Sequence, residues 1–234
     1  LSSRTRAIIP VHLLGLPCDM KPIMEIAQRR HLRIIEDSCE STFARYRGQS
    51  VGSFGDIGCF STYVAHYIVT GVGGFATTKV PELAVRLRSL MNHGRDSIYI
   101  SIDDDRGAKG KLLREIVSRR FSFTTLGHSF RATEMEAAIG LARMQRKDSI
   151  IKSRQLNAHR LSQGLKDLQD SIQLPTIPAD RDHVFMMYPI VLHREPKAGL
   201  VHFLEESNIE TRDLLPLINQ PVYQKLYGPL EKKY

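Results

Sequence analysis

The chain has no long apolar run. Nowhere does it approach the roughly 20 consecutive apolar residues that a helix needs to cross a bilayer, so a membrane partner is not expected. A secretory leader pattern is missing too, since no basic stretch at the N-terminus leads into an apolar core. An initiating methionine is also missing, and the chain opens in mid-pattern at LSSRTRAIIPVH; it is therefore expected to be a fragment. Cysteine is scarce. Cys18, Cys39 and Cys59 are the only three in 234 residues, and no two form a CxxC pair. No metal site is expected from this chain, because zinc and iron–sulfur centres draw on clustered thiols. An odd number of dispersed thiols fits a reducing compartment, and a cytoplasmic location is the expectation.

What remains is an ordinary globular composition, 42% hydrophobic and 25% charged, long enough for one domain or one and a half. The net charge is +8, with basic residues densest over 106–160. That excess reads either as attraction for an anionic ligand or as a solvated helical face. Few aromatics interleave the basic residues, so a nucleic-acid partner is not expected.

Along the chain, residues 8–14 read as a short strand. Asp19 and Pro22 open a helix over 21–30, closed by His31. A second short strand over 32–35 follows and ends at Glu36 and Asp37. Strand, helix, strand with short links is the pattern of a parallel α/β sheet, in which ligands collect beyond the carboxyl ends of the strands. Asp37 stands at such an end. A turn-rich stretch then leads into a strand over 57–63, His66, a glycine turn (Gly71, Gly73, Gly74) and a strand over 74–78. Pro81 starts a helix to Met91, closed at Asn92-His93-Gly94. Residues 96–118 read as a charged loop, and the run Asp103-Asp104-Asp105 as solvated, because three consecutive carboxylates cannot converge on one point of a regular element. One long helix is expected over 133–168. A strand over 185–192 and a helix over 198–207 complete the pattern. The domain division is placed at 148/149, giving domains over 1–148 and 149–234.

Asp37, Ser61 and His66 each have an ordinary reading alone, as a turn residue, a packing residue and a satisfied structural histidine. Their joint pattern is less ordinary. The blocks HLLGLPCDM, RIIEDSCES, VGSFGDIGCFSTYVAHYIVTGVGG, NHGRD and LGHSFRATEMEAAIGLARM, in this order, resemble the DegT/StrS sugar aminotransferase family, and weaker similarity continues through IETRDLLPLINQPVY. The resemblance implies a fold-type I pyridoxal-phosphate-dependent transferase. That fold is α/β, a mixed, mostly parallel sheet flanked by helices, with part of a small C-terminal α+β domain. It also implies pyridoxal or pyridoxamine phosphate as cofactor, a nucleotide-linked keto-sugar as substrate, glutamate as amino donor and a homodimer.

Residue by residue, Asp37 matches the family carboxylate that pairs with the cofactor's ring nitrogen. Glu40 stands where the aminotransferases place a glutamine near the ring hydroxyl. Ser61 matches the serine that contacts the cofactor phosphate. Ser129 replaces the asparagine that reaches the partner's cofactor phosphate, and Arg131 reads as structural. His66 stands where the aminotransferases carry the lysine that links covalently to the cofactor. An imidazole cannot make that link but can still move protons. The same replacement characterises the family's sugar 3-dehydratases, which hold pyridoxamine phosphate without a covalent link and expel a sugar hydroxyl. Dehydration of a 4-keto sugar in deoxysugar or polysaccharide synthesis is therefore the leading expectation. Transamination of such a sugar is the alternative, and a non-catalytic descendant that binds a ligand or a partner is the third reading. No clustered cysteines point to the iron–sulfur type of dehydratase.

Overall fold

The computed structural model describes residues 1–101, 103–212, 214 and 217–230. The chain divides into two compact units, one of residues 1–167 and 174–190, the other of 168–173 and 191–234.

The first unit is built on a four-stranded sheet in the order β1-β2-β5-β6, from strands Ala7–Ile8 (β1), Arg33–Asp37 (β2), Ile57–Ser61 (β5) and Gly74–Thr77 (β6). β1 and β5 run parallel to β2, while β6 returns antiparallel to β5. Between β2 and β5 lies a small hairpin of Arg45–Tyr46 (β3) and Gln49–Ser50 (β4). The β1-to-β2 crossover is the helix Met20–Arg30 (α1), which buries Met20 and Ala27 against Ile34 and Tyr46. His31 ends it in the left-handed conformation. Asp19 takes the N-cap position, but its carboxylate accepts the Tyr46 hydroxyl (2.7 Å) rather than a helix amide.

β1 is shorter than the apolar run 8–14. Pro10 lacks the amide that would continue a ladder, and Leu14 has φ 60° inside a short 3-10 turn, Leu13–Gly15. After β6 come helices Pro81–Met91 (α2), Gly110–Arg119 (α3), Glu134–Met144 (α4) and Lys147–Gly164 (α5). Two expectations fail here. α3 occupies the stretch read as a charged loop, burying only Ile116. The expected single helix over 133–168 breaks at Gln145-Arg146. α4 opens on a Thr133–Glu136 capping box and buries no residue, whereas Ile150 and Ile151 of α5 pack on a core cluster of Ala44, Val51, Tyr67 and Val184. The sequence carries no glycine or proline at the break.

In the compact units α5 belongs to the first core, and residues 174–190 return to it. The returning segment is not the strand expected over 185–192. Phe185 takes φ 50°, and the Val184 amide donates to the Gly15 carbonyl (2.9 Å) instead of a ladder.

The second unit contains the antiparallel pair Ile172–Gln173 (β7) and Val191–Leu192 (β8) and the helices Lys197–Glu206 (α6) and Pro221–Tyr227 (α7). Among the described residues no helix is long and apolar enough to cross a membrane.

Candidate functional site

The carboxyl ends of β2 and β5 lie side by side, with Asp37 paired to Cys59. The Asp37 backbone is held on its other side as well: its amide donates to the Pro10 carbonyl (2.9 Å) and its carbonyl accepts the His12 amide (3.0 Å). Its side chain is partly buried and accepts the Cys39 amide at 3.2 Å. Burial, followed by the neighbouring Asp37 carboxylate, pushes the Cys39 thiol up to about 12, and the same two causes raise Cys59. Both thiols stay protonated and unreactive near neutral pH.

A 3-10 turn, Cys39–Ser41, carries Glu40 just past Asp37. Glu40 Oε2 accepts the Leu14 amide at 2.6 Å, which ties this turn to the loop before α1. Ser61 closes β5 opposite Gly74, and its hydroxyl oxygen accepts the Tyr63 amide (3.2 Å).

His66 sits on a loop whose base is closed. The Thr62 amide donates to the Gly73 carbonyl (3.0 Å) and the Thr70 amide to the Thr62 carbonyl (2.9 Å), while the Thr70 and Thr62 hydroxyls meet at 2.7 Å. Within the loop Tyr63, Val64 and Ala65 are exposed, His66 is half-buried and Tyr67 is buried. The His66 amide donates to the Tyr63 carbonyl (2.9 Å). Its Nδ1 is buried and has no hydrogen-bond partner among the described residues. A buried polar atom without a partner costs about 1–3 kcal/mol, and the Ser38 hydroxyl, beside Asp37, is in the same condition among the described residues. Gly73 closes the loop with φ 133°, a conformation that side chains resist.

The structure thus places Asp37, Glu40, Ser61 and His66 on adjoining segments at one end of the sheet. Ser129 stands apart. It is exposed on the connection after α3 and its backbone pairs with Asn92 at the end of α2. Arg131 approaches the His93 ring at 3.4 Å.

One further residue, marked in the sequence only as a strand end, shapes this region. Glu36 precedes Asp37 on β2 and is fully buried. It accepts the amides of Gly52, Phe54 and Gly55, each at 2.7 Å, and the Nε2 proton of His12 at 3.1 Å. Burial opposes its ionisation, but the hydrogen bonds from His12 and from the Gly55, Gly52 and Phe54 amides outweigh it and hold the carboxyl below its usual range. Gly58 makes this arrangement possible. A Cβ there would meet the Gly52 carbonyl oxygen at 2.3 Å, so only glycine lets the amide-bearing turn lie against β5.

The family model for the DegT/DnrJ/EryC1/StrS aminotransferase family matches residues 1–234. The GDP-perosamine synthase of Caulobacter vibrioides is 34% identical over 97% of this chain and 54% of its own length. A dTDP-4-dehydro-2,6-dideoxy-D-glucose 3-dehydratase of Saccharopolyspora spinosa is 32% identical over 91% of this chain and 47% of its own. Among solved structures, E. coli GDP-4-keto-6-deoxy-D-mannose-3-dehydratase with bound hydrated PLP superposes with a TM-score of 0.81 at 25% identity, over 97% of this chain and 58% of that one. The chain spans about half the length of the curated relatives it matches.

Proposed function

The chain belongs to the DegT/DnrJ/EryC1/StrS aminotransferase family, and from that premise we propose that the whole protein is a pyridoxamine-phosphate-dependent 3-dehydratase of a nucleotide-linked 4-keto-6-deoxy sugar. The observation that carries this reading is His66, an imidazole whose buried Nδ1 has no partner among the described residues, at the position where the family's aminotransferases carry their cofactor-linking lysine. Relatives named for both reactions match at similar identity, so overall similarity does not choose between them.

The residues present suit the cofactor. Asp37 offers a carboxylate at the end of β2 with one amide bound to it, which leaves acceptor capacity for a ring N–H. Asp37 would keep that nitrogen protonated by charge pairing. Ser61, at the adjacent strand end, would donate its hydroxyl to the phosphate. Glu40 would stand near the ring hydroxyl, on a turn fixed by the Leu14 amide. The bound cofactor supplies an electron sink that stabilises negative charge at the reacting carbon. His66 acts beside it as the acid/base, taking up and returning a proton at an imidazole nitrogen. With no lysine at that position, Asp37, Glu40 and Ser61 would hold the cofactor by non-covalent contacts. The reading extends to glutamate as amino donor, to a homodimer in which Ser129 reaches the partner's cofactor phosphate, and to a cytoplasmic setting.

Product analysis tests this. Full-length protein supplied with a nucleotide-linked 4-keto-6-deoxy sugar, pyridoxamine phosphate and glutamate should yield a sugar that has lost its 3-hydroxyl oxygen and gained no nitrogen. An amino sugar retaining that oxygen would establish transamination instead. Failure to bind either form of the cofactor, read by absorbance, would favour a non-catalytic protein.

A further inference from the structure

Tyr67 follows His66 directly and is 2% exposed. Its hydroxyl donates to the Glu40 carbonyl at 3.1 Å. Glu40 lies in the 3-10 turn that begins two residues after Asp37, and that turn is itself fixed, since the Glu40 carboxylate holds the Leu14 amide at 2.6 Å. One phenolic hydrogen bond therefore joins the segment bearing His66 to the segment bearing Asp37. A second contact holds the phenol from above. The Arg154 guanidinium of α5 lies 5.1 Å from the centre of the Tyr67 ring, within range of a cation–π contact. Arg154 is in turn fastened to the returning segment, its Nη1 donating to the carbonyls of Phe185 (3.1 Å) and Met186 (3.0 Å).

The three residues before His66 are exposed. The loop base at Thr62, Thr70 and Gly73 fixes where the loop starts and ends but not the imidazole at its far side. Tyr67 is the buried point next to it. We propose that Tyr67 is a positioning residue for His66, registering the imidazole against the Asp37–Glu40 turn, and that Arg154 backs Tyr67 from α5. This rests on the reading of His66 as the acid/base. The polar end of Tyr67 is what matters: phenylalanine would fill the same core space among Ala44, Val51 and Val184 but leave the Glu40 carbonyl without its donor and His66 free to swing with the loop.

The test uses the full-length protein with two variants, Tyr67→Phe and Arg154→Lys, and a readout that does not depend on turnover. Diethyl pyrocarbonate labelling of His66 is followed by peptide mass, with exposed His159 as internal reference. Tyr67→Phe should speed labelling at His66 about fivefold or more, by local opening of the loop, with His159 unchanged. It should also lower kcat about tenfold with KM within about twofold, as loss of orientation does. Arg154→Lys keeps a cation near the ring but removes the planar guanidinium whose Nη1 donates to the Phe185 and Met186 carbonyls, and should move both readouts in the same direction by less. A folded Tyr67→Phe with unchanged labelling and turnover overturns the proposal. If Tyr67→Phe does not fold, Arg154→Lys decides: unchanged labelling at His66 overturns it. If His66→Asn keeps its turnover while Tyr67→Phe still accelerates labelling, the assignment of His66 as acid/base fails and the positioning contact stands.

Discussion

The two faces of β2 carry neighbouring carboxylates with opposite surroundings. Glu36 points into a closed shell of three amides and an imidazole and has no exposure to solvent. Asp37, one residue on and therefore on the other face, accepts the Cys39 amide at the carboxyl end of the strand, where it is partly buried. The first carboxylate is spent on the fold. It draws the turn at 52–55 onto β5 and fastens the strand to the loop before α1 through His12. The second is held firmly by its backbone on both sides while its oxygens retain room for another donor. The same contrast recurs farther on. The Tyr67 hydroxyl is paired, and its neighbour His66 has an imidazole nitrogen without a partner among the described residues. Paired groups tie these segments together, while the His66 imidazole beside them keeps unfilled hydrogen-bonding capacity among the described residues.

The largest expected effect lies on the unsaturated side. His66→Asn should lower turnover by about a thousandfold, within the range for loss of a general acid/base, while cofactor binding measured by absorbance is retained. Turnover within tenfold of the parent would place the chemistry elsewhere.

Next in size is the direct comparison of the two carboxylates. Glu36→Gln puts an amide group among amide donors and should cost about 3 kcal/mol or more of unfolding free energy in a denaturant titration. Asp37→Asn should cost no more than about 1 kcal/mol yet weaken cofactor binding. Equal stability losses would contradict this contrast between the two carboxylates.

A smaller effect separates the two sides by pH. Glu36 has a lowered folded value, so its contribution is present above the ordinary carboxylate range and is lost as pH falls through that folded value. His183 acts earlier. It is buried against Phe185, with ring centres 3.8 Å apart, and its Nδ1 accepts the Phe185 amide. Burial lowers it from the ordinary 6.5 to about 4. The unfolded ring takes its proton first, so stability declines as pH drops from about 6.5 towards 4, by no more than about 3 kcal/mol. His183→Gln should flatten that part of the stability profile and leave the steeper loss at lower pH, which belongs to the carboxylates. An unchanged slope would remove His183 from the account.

Much of this was legible in the sequence where local rules and packing agree. α1 and α2 begin and end at their capping signals, and β2 ends at the residue singled out for its position. His66 was visible because one residue type stood in an otherwise familiar block. Glu36 was not, because the amides that fill its oxygens come from residues 52–55 and nothing local marks them as its partners. The break between α4 and α5 was hidden for a similar reason: the helical pattern is continuous, and no glycine or proline marks the turn at Arg146. α3 was missed because its charged composition reads as loop, although Leu112, Leu113, Ile116 and Val117 form a helical stripe. Tyr67 lay inside the block that pointed to the site, yet its role appears only when the Glu40 carbonyl and Arg154 are seen around it.

The central claim is that an imidazole stands at the cofactor in place of a covalent anchor. Borohydride reduction of the full-length protein loaded with pyridoxal phosphate, followed by intact-mass measurement, tests it most directly. The account predicts a protein mass without added cofactor. A cofactor adduct fixed to a lysine would contradict it.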